Sequence, residues 1–326
     1  MIHRYLSKAL YLISMITLFV SCSFDELYYE TFNCCHIRLN IDWSKTKFRL
    51  NGASVYVYHK NGSLYKALPP FSNPYIIDLA LPQGEYNLVL HNNTPYELPN
   101  MNFRGWEDSE LFRAEPRGAD KYMYGHNVVS EPEDLGLAHL FNIEVTKAMI
   151  DYNPLMERST GSKIYEEFTL LAEPVISEIE VSVHISGLHN AAGAPLSELT
   201  NLAGGLKMMS KELHEEVVDH RFVLNNRLFD SGSDKNGRIM KTLRCFGFLP
   251  KTNLRNILKM NFMLVNGAPY NISADITDKI EKMSELKYRV ALSCKLPDVQ
   301  NESGGDSGFN PDVEGWEDIE VDVPMY

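Results

Sequence analysis

The 326-residue chain has no apolar run of about 20 residues, so it offers no conventional membrane-spanning helix. Positive charge is scarce: 31 Lys and Arg stand against 43 Asp and Glu, a net charge of −12. Nucleic-acid binding needs clustered cations to displace phosphate counterions, and this balance argues against it. No Gly-rich phosphate loop follows a strand pattern, no G-x-S-x-G elbow is present, and no Cys or His spacing suits zinc. What is present is ordinary for a folded protein, with 44% hydrophobic and 23% charged residues. Seventeen Tyr and 15 Phe lean toward strands, and the length suits about two domains.

The amino terminus carries the first specific signal. His3, Arg4 and Lys8 form a basic start, and the mostly apolar stretch Ala9–Val20 is too short to span a bilayer. It ends in Phe19-Val20-Ser21-Cys22, where a small residue precedes a cysteine as in a bacterial lipobox. Residues 1–21 are therefore expected to be a lipoprotein signal peptide, cut between Ser21 and Cys22, with Cys22 acylated. Acyl chains hold a protein firmly to a membrane, which makes the expected location the outer membrane, lipid-anchored and surface-exposed. Asp25, Glu26 and Glu30 follow, an acidic start similar to the export tag of surface lipoproteins in the Bacteroides group. The other cysteines, Cys34, Cys35, Cys245 and Cys294, suit either disulfides in an oxidising compartment or buried free thiols. Adjacent Cys34 and Cys35 on a strand point apart and should not pair together.

Period-2 patterning dominates the chain. Ile37, Leu39, Ile41 and Trp43 share one face of His36–Trp43, and Ile179, Val181, Val183 and Ile185 share one face of Glu178–Ile185. Asn61-Gly62 and Asn266-Gly267 predict hairpins, the first a type I′ turn between Ser54–Lys60 and Ser63–Leu68. A further hairpin is expected between Tyr75–Leu81 and Glu85–His91. His139–Lys147 should bury Phe141, Ile143 and Val145. Further strands are expected at Arg221–Phe229, Arg238–Leu249, Ile257–Val265 and Tyr288–Leu296, with helices at Ser210–Asp219 and Ile276–Leu286. A polar break at Asp151–Lys163 gives the expected organisation: a β-sandwich over 22–150, a linker over 151–163, a second sandwich over 164–297, and a tail over 298–326.

Catalytic motifs fail on spacing. His214 and His220 are six apart, roughly 120° out of register on a helix, where a zinc-protease pair is four apart. Asp234, Asn236 and Gly237 imitate part of a calcium loop without its first ligand or its closing Glu. Glu107/Asp108 and Glu317/Asp318 read as surface charge; both lie in a Gly-Trp-Glu-Asp tetrapeptide whose recurrence is about what chance allows. No enzyme activity, catalytic residue, metal or cofactor is expected.

Three segments together carry a resemblance: Ile37-Arg38-Leu39-Asn40-Ile41-Asp42-Trp43-Ser44, Leu81-Pro82-Gln83-Gly84-Glu85-Tyr86-Asn87-Leu88 with His91-Asn92-Asn93-Thr94, and the tail Phe309–Pro324. With the lipobox, they resemble a fimbrillin-like family of Bacteroidales lipoproteins that carries a domain of unknown function. The resemblance implies an all-β fold of two antiparallel transthyretin-like sandwiches, an acylated amino terminus, and a role as pilus subunit, anchor or accessory protein. It implies partners in the membrane, in other fimbrial subunits, and in host or bacterial surface ligands. Polymerising members of such families are cut after an arginine; Arg113, Arg117 and Arg158 stand in stretches that read as loops, with nothing to mark a processing site. The other functional reading is a surface lipoprotein that binds glycan or another nutrient, with Trp106 and Trp316 as stacking platforms rather than core residues.

The tail offers the sharpest expectation. Asn301–Gly308 is rich in Gly, Ser and Asp, as in a flexible linker. Beyond it Ile319, Val321 and Val323 form an apolar row opposite Asp318, Glu320 and Asp322, so this segment could add as a strand to a sheet edge, either within its own second domain or in a neighbouring subunit.

Overall fold

The computed structural model describes residues 34–118, 128–151, 166–250 and 253–299. Ser21, Cys22, Arg158, Trp316, Ile319, Val321 and Val323 lie outside them. The first half runs β1 (Cys34–Asp42), β2 (Ala53–His59), β3 (Leu64–Phe71), β4 (Ile76–Pro82), β5 (Gly84–Asn92), β6 (Met101–Arg104), β7 (Arg113–Pro116), β8 (Val128–Val129), β9 (Gly136–Val145) and a single turn of helix, α1 (Lys147–Asp151). Next come β10 (Glu166–Leu171) and β11 (Glu173–Pro174). The second half runs β12 (Ser177–Ser186), β13 (Leu196–Ala203), β14 (Leu206–Lys207), β15 (Val217–Val223), β16 (Asn226–Phe229), β17 (Gly237–Cys245), β18 (Ile257–Met263), β19 (Pro269–Asp275), β20 (Ile280–Ser284) and β21 (Lys287–Lys295).

Alternation builds the first sandwich. Ile37, Leu39 and Ile41 of β1 face inward and pack with Val55 and Val57 of β2, Leu79 of β4 and Leu88 of β5. That core joins a three-stranded sheet, β10–β1–β4, to a five-stranded one, β11–β9–β5–β2–β3. The outer row of β1 is polar: Arg38 donates twice to Asp78 of β4, at 2.7 and 2.9 Å, and the Asn40 amide donates to Glu167 of β10 at 3.2 Å. The second sandwich packs β16–β17–β12–β21–β20 on β19–β18–β13–β15–β8, with Ile179, Val181, Val183 and Ile185 of β12 fully buried.

In each sandwich two strands far apart in sequence lie side by side and parallel. β1 pairs with β10 from Ile37↔Glu166 to Asp42↔Leu171, and β12 pairs with β21 from Glu178↔Lys287 to Ser186↔Lys295. This closure moves the division of the chain. The polar break at 151–163 does not end the first sandwich, because β10 and β11 follow it and join β1 and β9. The second sandwich begins at β12.

Several local expectations change for identifiable reasons. At Asn61-Gly62 only Gly62 has positive φ, 89°, and its N–H donates to His59 O at 2.9 Å; Asn61 instead accepts from the Ser63 N–H at 3.0 Å. The hairpin therefore closes with an Asx contact and a bulge in place of a type I′ turn. Asn266-Gly267 repeats the device, with Gly267 at φ 83° and Ala268 N–H on Asn266 Oδ1 at 3.1 Å. The expected hairpin across Pro82-Gln83-Gly84 is a corner instead, since β4 and β5 belong to different sheets. Phe141 is 49% exposed, while Ile143 and Val145 are buried as expected. Asn142 sits at φ 58° opposite a break in the β5–β9 register, and this bulge turns Phe141 outward.

Neither expected helix forms. Asp275 accepts from the Thr277 N–H and hydroxyl, which limits helical turns to Thr277–Lys279, and β20 then pairs with β21. Ser210–Asp219 becomes a turn leading into β15, and the strand expected at Arg221–Phe229 is divided between β15 and β16.

The two sandwiches share a third core. Tyr56 and Tyr58 of β2, Val89 of β5 and Leu137 of β9 point away from the first core and pack with Phe112, Ala203, Leu206, Met208 and Phe246. β2 is therefore buried on both faces, consistent with its run of Val and Tyr. A small sheet, β14–β7–β6, spans this junction, and β8 pairs with β15 of the second sandwich. Ion pairs rim it: Glu173 meets Lys45 at 2.7 Å and Lys211 at 2.9 Å, which pulls its carboxyl down to about 2.

Candidate functional site

Among the described residues, the motifs with catalytic overtones are absorbed by structure. His220 lies on β15, fully buried, with neither ring nitrogen hydrogen-bonded; burial lowers its pKa to about 3. His91 is also fully buried, lowered to about 4 by burial, with Nδ1 against Asn92 O at 2.9 Å. No nucleophile or carboxylate hydrogen-bonds to either ring, so neither belongs to an acid–base pair.

Glu115, His214 and Glu216 bring one ligand atom each within 4.8 Å of one another. Glu115, however, faces two guanidinium groups, Arg104 at 2.9 Å and Arg113, so a cation would have to displace them. In the Asp230–Gly237 loop one of the calcium-like residues, Asn236, is engaged in the turn, where its Oδ1 accepts from the Gly187 N–H at 3.0 Å, and Asp230 nearby pairs with His184 at 2.9 Å. Cys34, Cys35, Cys245 and Cys294 are free thiols. Burial pushes Cys245 and Cys294 up to about 12, which makes them inert at neutral pH.

Of the arginines considered for processing, Arg113 and Arg117 lie among the described residues, and neither is in an open loop. Arg113 lies in β7, and Arg117 is held through its own backbone: its N–H donates to Asn100 O at 2.7 Å, and its O accepts from the Ser130 N–H at 3.0 Å.

Two surfaces remain for recognition. The first is the sheet edge. β16 pairs only with β17 and exposes Leu228 at 53% and Phe229 at 46%. Leu296 N–H donates to Ser186 O at 2.9 Å, so the chain leaves β21 beside the end of β12, two strands from that edge. The second is an open cleft beside the first sandwich, bordered by Trp106 and by Tyr96, which is 95% exposed. Sequence reading singles out Trp106 but passes over Tyr96. The Thr94-x-x-Glu97 spacing around Tyr96, a reciprocal capping pattern, is the signal that could have found its fixed turn.

The fold is similar to that of a candidate adhesin from Bacteroides ovatus, with a TM-score of 0.53 at 15% identity over 82% of this chain and 94% of that one. A candidate adhesin from Bacteroides thetaiotaomicron aligns with a TM-score of 0.49 at 12% identity over 80% of this chain and 92% of that one. The fimbrial anchor protein Mfa2 from Porphyromonas gingivalis aligns with a TM-score of 0.47 at 12% identity over 80% and 90%. No curated protein matches the chain. The family described as a domain of unknown function, DUF5119, matches residues 21–222, well over half of the sequence. On that match, carried by a chain whose regular structure among the described residues is nearly all strand, the protein belongs to the DUF5119 family.

Proposed function

We propose that the protein is a non-enzymatic component of a fimbrial or adhesive assembly, displayed at the cell surface and anchored in the outer membrane by lipid on Cys22. The observation that carries this reading is the tandem β-sandwich architecture, which follows the Bacteroides ovatus candidate adhesin along 82% of the chain. The lipobox Phe19-Val20-Ser21-Cys22 supports the anchor. Cys22→Ala should release the protein from the outer-membrane fraction, as judged by fractionation and mass spectrometry of its amino terminus. Retention of the variant in that fraction with the wild-type processing pattern would remove lipid as the anchor.

The tail is the proposed assembly element. Among the described strands, β21 is already flanked by β12 and β20. Ile319, Val321 and Val323 would serve a sheet edge in a neighbouring subunit, and their acidic opposite row would then face water. Deleting Phe309–Tyr326 is expected to leave thermal stability of the monomer unchanged and to abolish assembly. A lowered melting temperature would place the strand within its own chain, and no change in either property would end the strand reading.

A further inference from the structure

We propose that the cleft between the Tyr96 and Trp106 turns binds a neutral carbohydrate by stacking sugar rings on its aromatic side chains. The cleft encloses about 590 Å³. Tyr96, Phe103 and Trp106 line it, Tyr56 forms its buried floor, and Asn102 and Arg117 contribute polar groups. Scattered single aromatics are normal on a surface, but three that converge on one concavity with polar side chains beside them have the make-up of a ligand site.

The aromatic groups are held in place before any ligand arrives. Thr94 N–H donates to Glu97 Oε2 at 2.9 Å and Glu97 N–H to Thr94 Oγ1 at 3.2 Å, which locks the turn carrying Tyr96. Tyr58 Oη donates to Trp106 O at 3.0 Å, and Leu64 N–H donates to Glu107 O at 3.0 Å, which fastens the turn carrying Trp106 to the β2–β3 hairpin. Gly105 opens that turn at φ 66°, where an added Cβ would lie 2.5 Å from Leu111 O. Phe103 stacks on His91, with centroids 4.5 Å apart and planes 6° apart, and His91 stacks on Tyr56 at 5.9 Å. Fixed rings lose little entropy on binding.

Charge selects the ligand class. The two turns carry Glu97, Glu107, Asp108 and Glu110, and Arg117 is the cation among the cleft residues. These carboxylates flank the cleft rather than line it, and together with the net charge of −12 they disfavour polyanions such as nucleic acids and heavily sulfated glycans. A neutral pyranose presents an apolar C–H face to an aromatic ring and a rim of hydroxyls that both donate and accept. The Asn102 side-chain amide and the Trp106 indole N–H have no hydrogen-bond partner among the described residues, and Arg117 spends one N–H on Pro99 O at 3.1 Å. These groups can serve the hydroxyl oxygens, and the Asn102 side-chain oxygen can accept from a hydroxyl. A proline-rich peptide would also suit the rings, but proline offers an acceptor such as the Asn102 side-chain oxygen no N–H donor. The inference does not depend on the assembly reading, since a soluble monomer would bind equally well.

The test presents the purified full chain to an array of neutral hexose and hexosamine oligosaccharides, sulfated glycosaminoglycan fragments and decaproline. Tryptophan fluorescence titration then follows any oligosaccharide retained. The expected result is saturable retention of a neutral oligosaccharide, weakened about tenfold or more by Tyr96→Ala and by Trp106→Ala and largely kept by Trp106→Phe. Melting curves identify any variant that loses its fold, and Tyr96→Ala, at a fully exposed side chain, decides the matter if Trp106→Ala proves unstable. Retention of no neutral glycan, equal retention by Tyr96→Ala, or binding of decaproline or the sulfated fragments instead would overturn the proposal.

Discussion

Lowering the pH from 6.5 to 5 is expected to cost the protein about 3 kcal/mol of folding stability through two histidines. His91 and His220 are buried neutral, with folded pKa values lowered to about 4 and about 3. In the unfolded chain an ordinary histidine protonates near 6.5. Between those values the unfolded state binds protons that the folded state refuses, so stability is complete above the unfolded value and falls as the solution is acidified. The loss continues until each folded pKa is reached, near 4 for His91 and near 3 for His220. Glu173, held down to about 2 by Lys45 and Lys211, adds a loss of the same sign below the usual carboxylate range. Urea midpoints at pH 7, 6 and 5 measure the slope, and His220→Leu should flatten it. A midpoint unchanged across that interval would mean that neither ring is buried neutral.

Phe112→Ala should destabilise the protein by about 3–5 kcal/mol, the range for emptying a buried aromatic site. Phe112 is fully buried, with its ring 4.6 Å from that of Tyr56 and 6.4 Å from those of Tyr58 and Phe103. Its backbone O accepts from Met208 N–H at 2.8 Å, which ties it to the second half of the chain. Because the junction core draws on both sandwiches, denaturation of the wild type should be one transition, and the variant should shift all of it. Calorimetry that resolved two transitions, with only the first displaced, would show that the halves fold independently. Cleavage between residues 152 and 165 should likewise leave a nicked but associated protein, since β10 lies beyond the cut and pairs with β1.

Much of the fold was legible where one face of a strand is buried and the other is wet. β1 and β12 are such strands, and their inward rows were read residue by residue. Legibility failed where local pattern is degenerate. Ile276, Ile280 and Met283 have helical spacing, yet the Asp275–Thr277 contact and the pairing of Glu281 with Arg289 decide the outcome. A tight connection at Gln83 looks the same whether it joins neighbours or turns a corner between sheets. The return of β10 to β1 spans more than a hundred residues, and no local signal announces it. The bulge at Asn142 reverses the side of Phe141 without a Gly or Pro to mark it. For the candidate sites, Trp106 stood out by rarity, whereas Tyr96 and Phe103 become meaningful only once β6 and the two turns bring them around one cleft.

The central claim is that this chain works as part of a surface assembly, and cross-linking on intact cells tests it most directly. Filaments sheared from the surface after cross-linking, digested and analysed by mass spectrometry, should contain this chain joined to another fimbrial subunit or to a second copy of itself. The cross-links should involve residues of the Phe309–Tyr326 segment or of the β16 edge. Recovery of the chain only as an uncross-linked monomer, absent from every filament fraction, would contradict the account.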